Sequence, residues 1–150
     1  MSRSARIVRY AWASPYSFAG LLLALVAILS GASLHLRDGT LEVAGGRIGA
    51  WVNRLPRSLR FYAITLGHVI LGSSHDLLDL HRAHERTHVR QYERWGVLFV
   101  PLYLLMSLLQ VLRGRDPYRG NTFEREAGVH PGFPLEGVPS VGITAPKDLQ

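Results

Sequence analysis

Two histidines and a glutamate in one short stretch have the residue types and the spacing of a catalytic metal site. His84, Glu85 and His88 form the pattern H-E-x-x-H within a run that is helical by its pattern. Residues four apart lie on one face of a helix, so the two imidazoles project side by side and can take two corners of a zinc tetrahedron. Glu85 then lies next to the open corner, where it can deprotonate a bound water. The stretch therefore predicts a catalytic zinc site with Glu85 as the general base.

A catalytic zinc ion usually has three protein ligands, and the chain has no cysteine to supply the third. The downstream candidates are Glu124, Glu126 and His130. Glu124 begins the sequence Glu-Arg-Glu-Ala, which has the form E-x-x-A. An H-E-x-x-H helix followed some tens of residues later by a helical E-x-x-A resembles the gluzincin metallopeptidases. In particular, it is similar to the membrane-bound zinc endopeptidases of the CAAX-prenyl and heat-stress type, over roughly residues 77–128.

This resemblance implies zinc-dependent hydrolysis of peptide bonds, with Glu124 as the third ligand and Glu126 as the alternative. Two positions depart from the family pattern: Gly128 stands where the family has an aspartate, and Arg86 stands where it usually has an uncharged residue. Glu124 also has a second interpretation, as part of a helix cap. Asn121 followed three residues later by a glutamate is close to a capping box.

Peptide hydrolysis needs a hydrogen-bond donor for the developing oxyanion. Tyr118 and His130 lie near the third ligand in the sequence and are the candidates. The expected substrate is a peptide or protein near a membrane surface. Two alternatives stay open. One is a zinc hydrolase that acts on something other than peptides. The other is a non-catalytic membrane protein that binds anionic lipid or a protein partner, with a structural metal or none.

The N-terminal region has the composition of a membrane anchor. Residues 1–17 contain three arginines followed by aromatic side chains, and residues 18–34 are uncharged and apolar apart from two serines. Such a run is just long enough to span a bilayer, and the preceding arginines favour a cytoplasmic N-terminus. We therefore expect a single anchor over residues 18–36. A signal peptide ending near residues 30–32 and a buried core helix are the alternatives.

The net charge of +6 suits anionic lipid headgroups better than nucleic acid, because no nucleic-acid-binding motif is present. Four arginines recur every four residues along the H-E-x-x-H helix and predict a solvated or headgroup-facing side: Arg82, Arg86, Arg90 and Arg94.

The pattern of the whole chain predicts an α+β fold. A mostly helical, zincin-like domain over residues 37–130 is expected to carry a small antiparallel sheet, followed by a Pro/Gly-rich tail over residues 131–150. The elements expected before the metal helix are a turn at Asp38-Gly39, a strand at 40–43, a helix at 47–55 and the main strand at 60–71, kinked or bulged at Gly67.

The metal helix itself is predicted over residues 77–95, with Gly96 as its end. Its N-cap is expected at Ser73, Ser74 or Asp76, and its apolar face is expected to include Leu77, Leu80 and Ala83. A second apolar helix is predicted over residues 97–112. It is a core helix, a half-inserted helix or a second membrane span.

Overall fold

The computed structural model describes residues 3–55 and 61–128, and this part of the chain has an α+β fold, as predicted. The predicted tail and His130 lie outside the described residues, as does the start of the predicted main strand. The elements are α1 (Arg3–Leu29), β1 (Ala32–Arg37), β2 (Thr40–Gly45), α2 (Ile48–Arg54), β3 (Ala63–Leu66), β4 (Val69–Gly72), α3 (His75–Trp95), α4 (Phe99–Leu112) and α5 (Thr122–Ala127).

The described strands form one four-stranded sheet in the order β1-β2-β4-β3. The β1–β2 and β3–β4 pairs are antiparallel hairpins, whereas β2 and β4 are parallel. The sheet is therefore mixed, and the prediction of a purely antiparallel sheet is wrong on this point. The chain crosses over through α2 between β2 and β3. The β3–β4 hairpin then places β4 beside β2, running in the same direction. This order leaves β3 at the edge of the sheet.

The single strand predicted over residues 60–71 is instead the β3–β4 hairpin. Gly67 has a φ of +60°, a backbone conformation that residues other than glycine rarely adopt, and the chain turns at this point. A Cβ atom at this position would also overlap Ser17 of α1. The β-branched residues on both sides of the turn suit strands, but the sequence pattern does not reveal that they belong to two strands.

Helix α1 packs along the rest of the domain through its small residues. Ala24 and Ala27 are buried in a core cluster with Val43, Val69 and Leu71 of the sheet. The opposite face of α1 is apolar and exposed: Leu21, Leu22, Leu25, Val26 and Leu29 are each about half exposed or more. The helix is therefore two-sided, with small side chains toward the sheet and large ones away from it.

The helix formed by the N-terminal apolar run ends earlier than the predicted anchor. Helix α1 stops at Leu29, Gly31 has a φ of +93°, and β1 begins at Ala32. The predicted anchor over residues 18–36 is therefore divided between a helix and a strand. Within the described residues, two helical segments are long and apolar enough to cross a membrane, Ile7–Leu29 and His75–Leu112.

Helix α3 crosses the sheet and carries the H-E-x-x-H stretch. The side chain of Ser74 accepts a hydrogen bond from the Leu77 amide and caps its N-terminus, and Gly96 follows its last residue as predicted. The predicted apolar face is wrong at Leu80, which is 71% exposed, because Leu78 instead packs against Ile70 and is 2% exposed.

Helices α4 and α5 are linked by a segment that folds back along α4. Asn121, which precedes α5, donates hydrogen bonds to the Tyr103 carbonyl (3.0 Å) and to Ser107 Oγ (2.8 Å), both near the middle of α4. The Arg115 amide bonds the Gln110 carbonyl on the way. The return of the chain therefore places α5 beside α3.

The packing of α1 can be tested at Gly20. A Cβ atom there would lie 2.8 Å from Val69 Cβ and 3.0 Å from the Leu66 carbonyl oxygen. We expect Gly20→Ala to lower the free energy of unfolding by about 1–3 kcal/mol in urea titrations, because α1 must move off the sheet. Gly49→Ala in α2, where a Cβ has room, is the control and is expected to be neutral or stabilising. A neutral or stabilising Gly20→Ala would show that α1 does not pack on the sheet.

Candidate metal centre

Three buried side chains from two helices meet at one point. His84 and His88 come from α3, and Glu124 comes from α5. One ligand atom from each side chain lies within 4.8 Å of the others. The two Nε2 atoms are 3.0 Å apart, and Glu124 Oε2 and Oε1 lie 3.3 Å from His84 Nε2 and 3.6 Å from His88 Nε2, respectively. The predicted ligand set is therefore brought together by the fold.

The spacing of these atoms can be compared with a metal tetrahedron. Zinc–nitrogen and zinc–oxygen bonds of about 2.0–2.2 Å place neighbouring ligand atoms roughly 3.3–3.5 Å apart. The separations in the structure are similar to this value: 3.0 Å between the two Nε2 atoms, and 3.3 and 3.6 Å from these atoms to the two different oxygens of the Glu124 carboxylate. Two imidazoles and a carboxylate can hold Zn²⁺ or another divalent transition metal.

Hydrogen bonds on the far side of each imidazole determine which nitrogen faces the cluster. His84 Nδ1 lies 3.0 Å from the Gly128 carbonyl oxygen, and His88 Nδ1 lies 2.8 Å from Gln91 Oε1. The Gln91 amide is oriented without ambiguity, because its Nε2 donates to the Phe123 carbonyl and to Glu126. Both Nδ1 atoms are therefore donors, and both Nε2 lone pairs converge on one point, as metal-binding histidines require.

The electrostatics of the cluster favour a positive charge there. Burial alone would lower the pKa of His84 and His88, but the nearby Glu124 and Glu85 carboxylates outweigh it and raise both pKa values above the usual range. Burial would raise the pKa of Glu124, yet its interactions with the two histidines dominate and lower that pKa. A carboxylate kept ionised beside two imidazoles is the arrangement that binds a divalent cation.

Glu124 is held by tyrosines on one side and left open on the other. Tyr103 donates a 2.7 Å hydrogen bond to Glu124 Oε1, and the hydroxyl of Tyr118 also interacts with this carboxylate. Within the described part of the chain, the buried Glu124 Oε2 accepts no well-directed hydrogen bond. A buried carboxylate oxygen without a hydrogen bond is costly, and a cation between it and the imidazoles would satisfy it.

Glu85 is buried next to the cluster and held in place by β3. Thr65 donates a 2.6 Å hydrogen bond to Glu85 Oε2. Glu85 is close enough to contribute to the raised pKa of both histidines. Strand β3 therefore orients the carboxylate that the sequence pattern assigns as general base.

The cluster opens into a cavity of about 380 Å³ between α3, α4 and the edge strand β3. Its walls are mostly apolar and aromatic, and the polar groups converge at the cluster. The lining includes Phe61, Tyr62, Ile64, Thr65, Leu66, His81, Glu85, Phe99, Val100, Tyr103 and Tyr118. A small number of polar groups in an apolar cleft is typical of a ligand or active site.

The structure separates the alternatives for the third ligand. Glu126 is exposed and accepts a hydrogen bond from Gln91, so it contacts the residue behind His88 and lies outside the ligand cluster. The N-cap of α5 is the Asn121 side chain, which accepts from the Phe123 amide. The backbone N–H of Asn121 donates to the Tyr118 carbonyl and not to the Glu124 side chain, so Glu124 does not complete a capping box. Of the two predicted oxyanion donors, Tyr118 lines the cavity, and His130 lies outside the described residues.

Three residues that support the cluster were not predicted as site residues: Thr65, Gln91 and Tyr103. Gln91 stands three positions after His88, on the same helix face, so its role could have been inferred from spacing. Thr65 and Tyr103 reach the site only through the strand turn and the packing of α4, which no local pattern encodes.

No known protein family, curated protein or solved structure matches this chain in sequence or fold. The roles of the site residues are therefore argued from the geometry above.

The metal content of the purified protein tests the cluster. We expect about one divalent metal ion per chain in wild type, and loss of that ion in His84→Ala, His88→Ala and Glu124→Ala. Glu126→Ala is the matched control and is expected to keep its metal, because this carboxylate lies outside the cluster. Gln91→Ala is expected to weaken binding about 10–100-fold, since it orients His88. Metal retained by Glu124→Ala but lost by Glu126→Ala would show that Glu126, and not Glu124, is the third ligand.

Proposed function

We propose that the protein is a membrane-associated metallopeptidase whose zinc ion is held by His84, His88 and Glu124. The observation that carries this proposal is the position of Glu85. This carboxylate is buried beside the ligand cluster, fixed by Thr65, and lines the same cavity as the three ligands. A structural metal needs no such carboxylate and no cavity, so the arrangement favours catalysis over the non-catalytic alternative.

When bound there, zinc would acidify a water molecule and polarise the carbonyl group under attack. Glu85 is placed to accept a proton in the attack and to return it to the leaving amine. Thr65 occupies Glu85 Oε2, so Oε1 is the oxygen available for this transfer. The protein would therefore supply both an oriented base and a mostly apolar cavity for the reaction.

Tyr118 is the better placed of the two predicted oxyanion donors. It lines the cavity and interacts with Glu124. Burial, followed by the nearby Glu124 carboxylate, raises the pKa of Tyr118 well above its usual range. Its hydroxyl therefore remains a hydrogen-bond donor at neutral pH. Tyr103 donates to the same carboxylate and is a second candidate for this role.

The edge strand β3 supports a peptide as the substrate. Ala63–Leu66 line the cavity, and β3 has no sheet neighbour on its outer side among the described strands. An extended peptide can add to such an edge through backbone hydrogen bonds. Its scissile bond would then lie between β3 and the ligand cluster, which favours peptides over other hydrolase substrates.

The membrane association is inferred from two exposed apolar surfaces, one on α1 and one on α4. On α4, Leu104, Leu108 and Val111 are each more than half exposed. Soluble monomers rarely expose contiguous apolar surface of this kind. Helix α1 packs on the sheet through Ala24 and Ala27. We therefore infer that α1 places its outer face against lipid instead of crossing the bilayer as a separate anchor.

Catalysis is tested by Glu85→Gln. With the metal content kept, we expect this variant to cleave a quenched-fluorescence library of short peptides about 10²–10⁴-fold more slowly than wild type, because the general base is lost. Glu126→Gln makes the same chemical change outside the cluster and is expected to retain near-wild-type cleavage. Cleavage by metal-loaded Glu85→Gln at the wild-type rate would rule out the assigned mechanism.

A further inference from the structure

A second cavity lies on the other side of α5 from the metal cluster. Trp95, Leu102, Met106 and Phe123 form an apolar floor, and Arg94 and Arg125 stand among the lining residues. The cavity is an open groove of about 770 Å³ between the end of α3, α4 and α5. We call it the α4–α5 groove. Nothing in the proposed reaction uses it.

The charged residues that line this groove are two arginines and one glutamate. Arg9, Arg37, Arg82 and Arg86 each form an ion pair with a carboxylate. Within the described part of the chain, Arg94 and Arg125 form none. The one carboxylate at the groove, Glu126, accepts a hydrogen bond from Gln91. With Glu126 ionised, the two arginines and one glutamate leave the groove with a net charge of +1, and guanidinium groups over an apolar floor attract an anion that carries an apolar group.

Arg94 is already positioned over the floor. Its guanidinium carbon lies 5.5 Å from the centre of the Trp95 ring, a cation–π contact that holds the charge at the apolar surface. The Phe123 ring packs against Trp95 at 6.4 Å and against Phe99 at 5.2 Å, which fixes the inner wall. Two of the four floor residues are thus aromatic rings held by ring contacts.

The length and contacts of α4 fit a helix that lies at a membrane interface. Helix α4 alone has 14 residues and is about 21 Å long, less than a hydrocarbon core of about 30 Å, and the rest of the segment His75–Leu112 is mainly α3, which carries the buried residues of the metal cluster. Asn121 and the segment before it pack against the middle of α4, so polar backbone lies beside the helix. Such a helix fits a position in the plane of the interface, with its exposed leucines toward the acyl chains.

We propose that the α4–α5 groove binds one anionic phospholipid. The phosphate lies between Arg94 and Arg125, and an acyl chain follows Leu102 and Met106 toward the exposed face of α4. Arginine is suited to this role because its planar guanidinium donates two parallel hydrogen bonds to a phosphate. The proposal rests on the membrane association inferred above and does not depend on peptide hydrolysis.

The test is binding of the purified full chain to vesicles of phosphatidylcholine with and without phosphatidylglycerol, measured by flotation. We expect phosphatidylglycerol to strengthen binding by about tenfold or more. The double variant Arg94→Gln/Arg125→Gln is expected to lose this preference. The double variant Arg47→Gln/Arg54→Gln removes the same charge at the distant helix α2 and is expected to keep it. Unchanged metal content in both variants verifies that the fold is intact.

Three outcomes would overturn the proposal. Equal loss of the lipid preference in both double variants would show that overall charge attracts the lipid and that the groove does not. Equal binding of wild type to both kinds of vesicle would show that no anionic lipid is recognised. Absence of binding to either vesicle would contradict the membrane association as well, while leaving cleavage of soluble peptides as a separate result. Glycerol phosphate, tested as a competitor, should fail to displace the protein, because it lacks the acyl chain.

Discussion

The convergence of two imidazole lone pairs and one carboxylate in a buried place is the constraint on which this structure depends. Such a cluster is costly unless a cation satisfies it, so neighbouring elements must hold the three groups in position. Gln91 and the Gly128 carbonyl orient the histidines, and Tyr103 orients Glu124. The segment that returns along α4 places α5, and with it Glu124, beside α3. The fold is thus organised around keeping a charge-binding point out of water yet reachable from a cavity.

What the sequence could predict about the site follows from helical geometry. The spacing of His84 and His88 predicts a shared face, because one turn of helix is set by the backbone alone. Glu124 could be named only through the E-x-x-A resemblance. Glu124 and Glu126 are two residues apart and point to different sides of α5, but this spacing does not say which of them faces α3. The choice between them is made by the packing of α5 against α3, which is a tertiary property.

Several features of the structure are left open by the sequence, because a one-dimensional pattern does not say what an apolar surface packs against. The apolar run in α1 has the same appearance in a membrane span and in a helix that buries alanines against a sheet. Likewise, β3 and β4 together resemble one long strand until the turn at Gly67 is known. The parallel pairing of β2 with β4 depends on a crossover and has no local signal. The Asp38-Gly39 turn was predicted, and Ser74 was one of three residues predicted for the N-cap of α3, because neighbouring residues determine such local features.

The ligands of the cluster come from two helices that are far apart along the chain, and this separation has a consequence for the stability of the protein. A metal ion bound to both His88 and Glu124 would close a long loop that contains α4 and its return segment, as a covalent cross-link does. Ligand binding to the folded state alone stabilises it in proportion to the logarithm of the ligand concentration over its dissociation constant. Without an ion, α5 would be attached only through its own packing and hydrogen bonds, among them those of Tyr103 to Glu124 and of Gln91 to the Phe123 carbonyl and Glu126. The midpoint of thermal unfolding thus becomes a measure of metal occupancy.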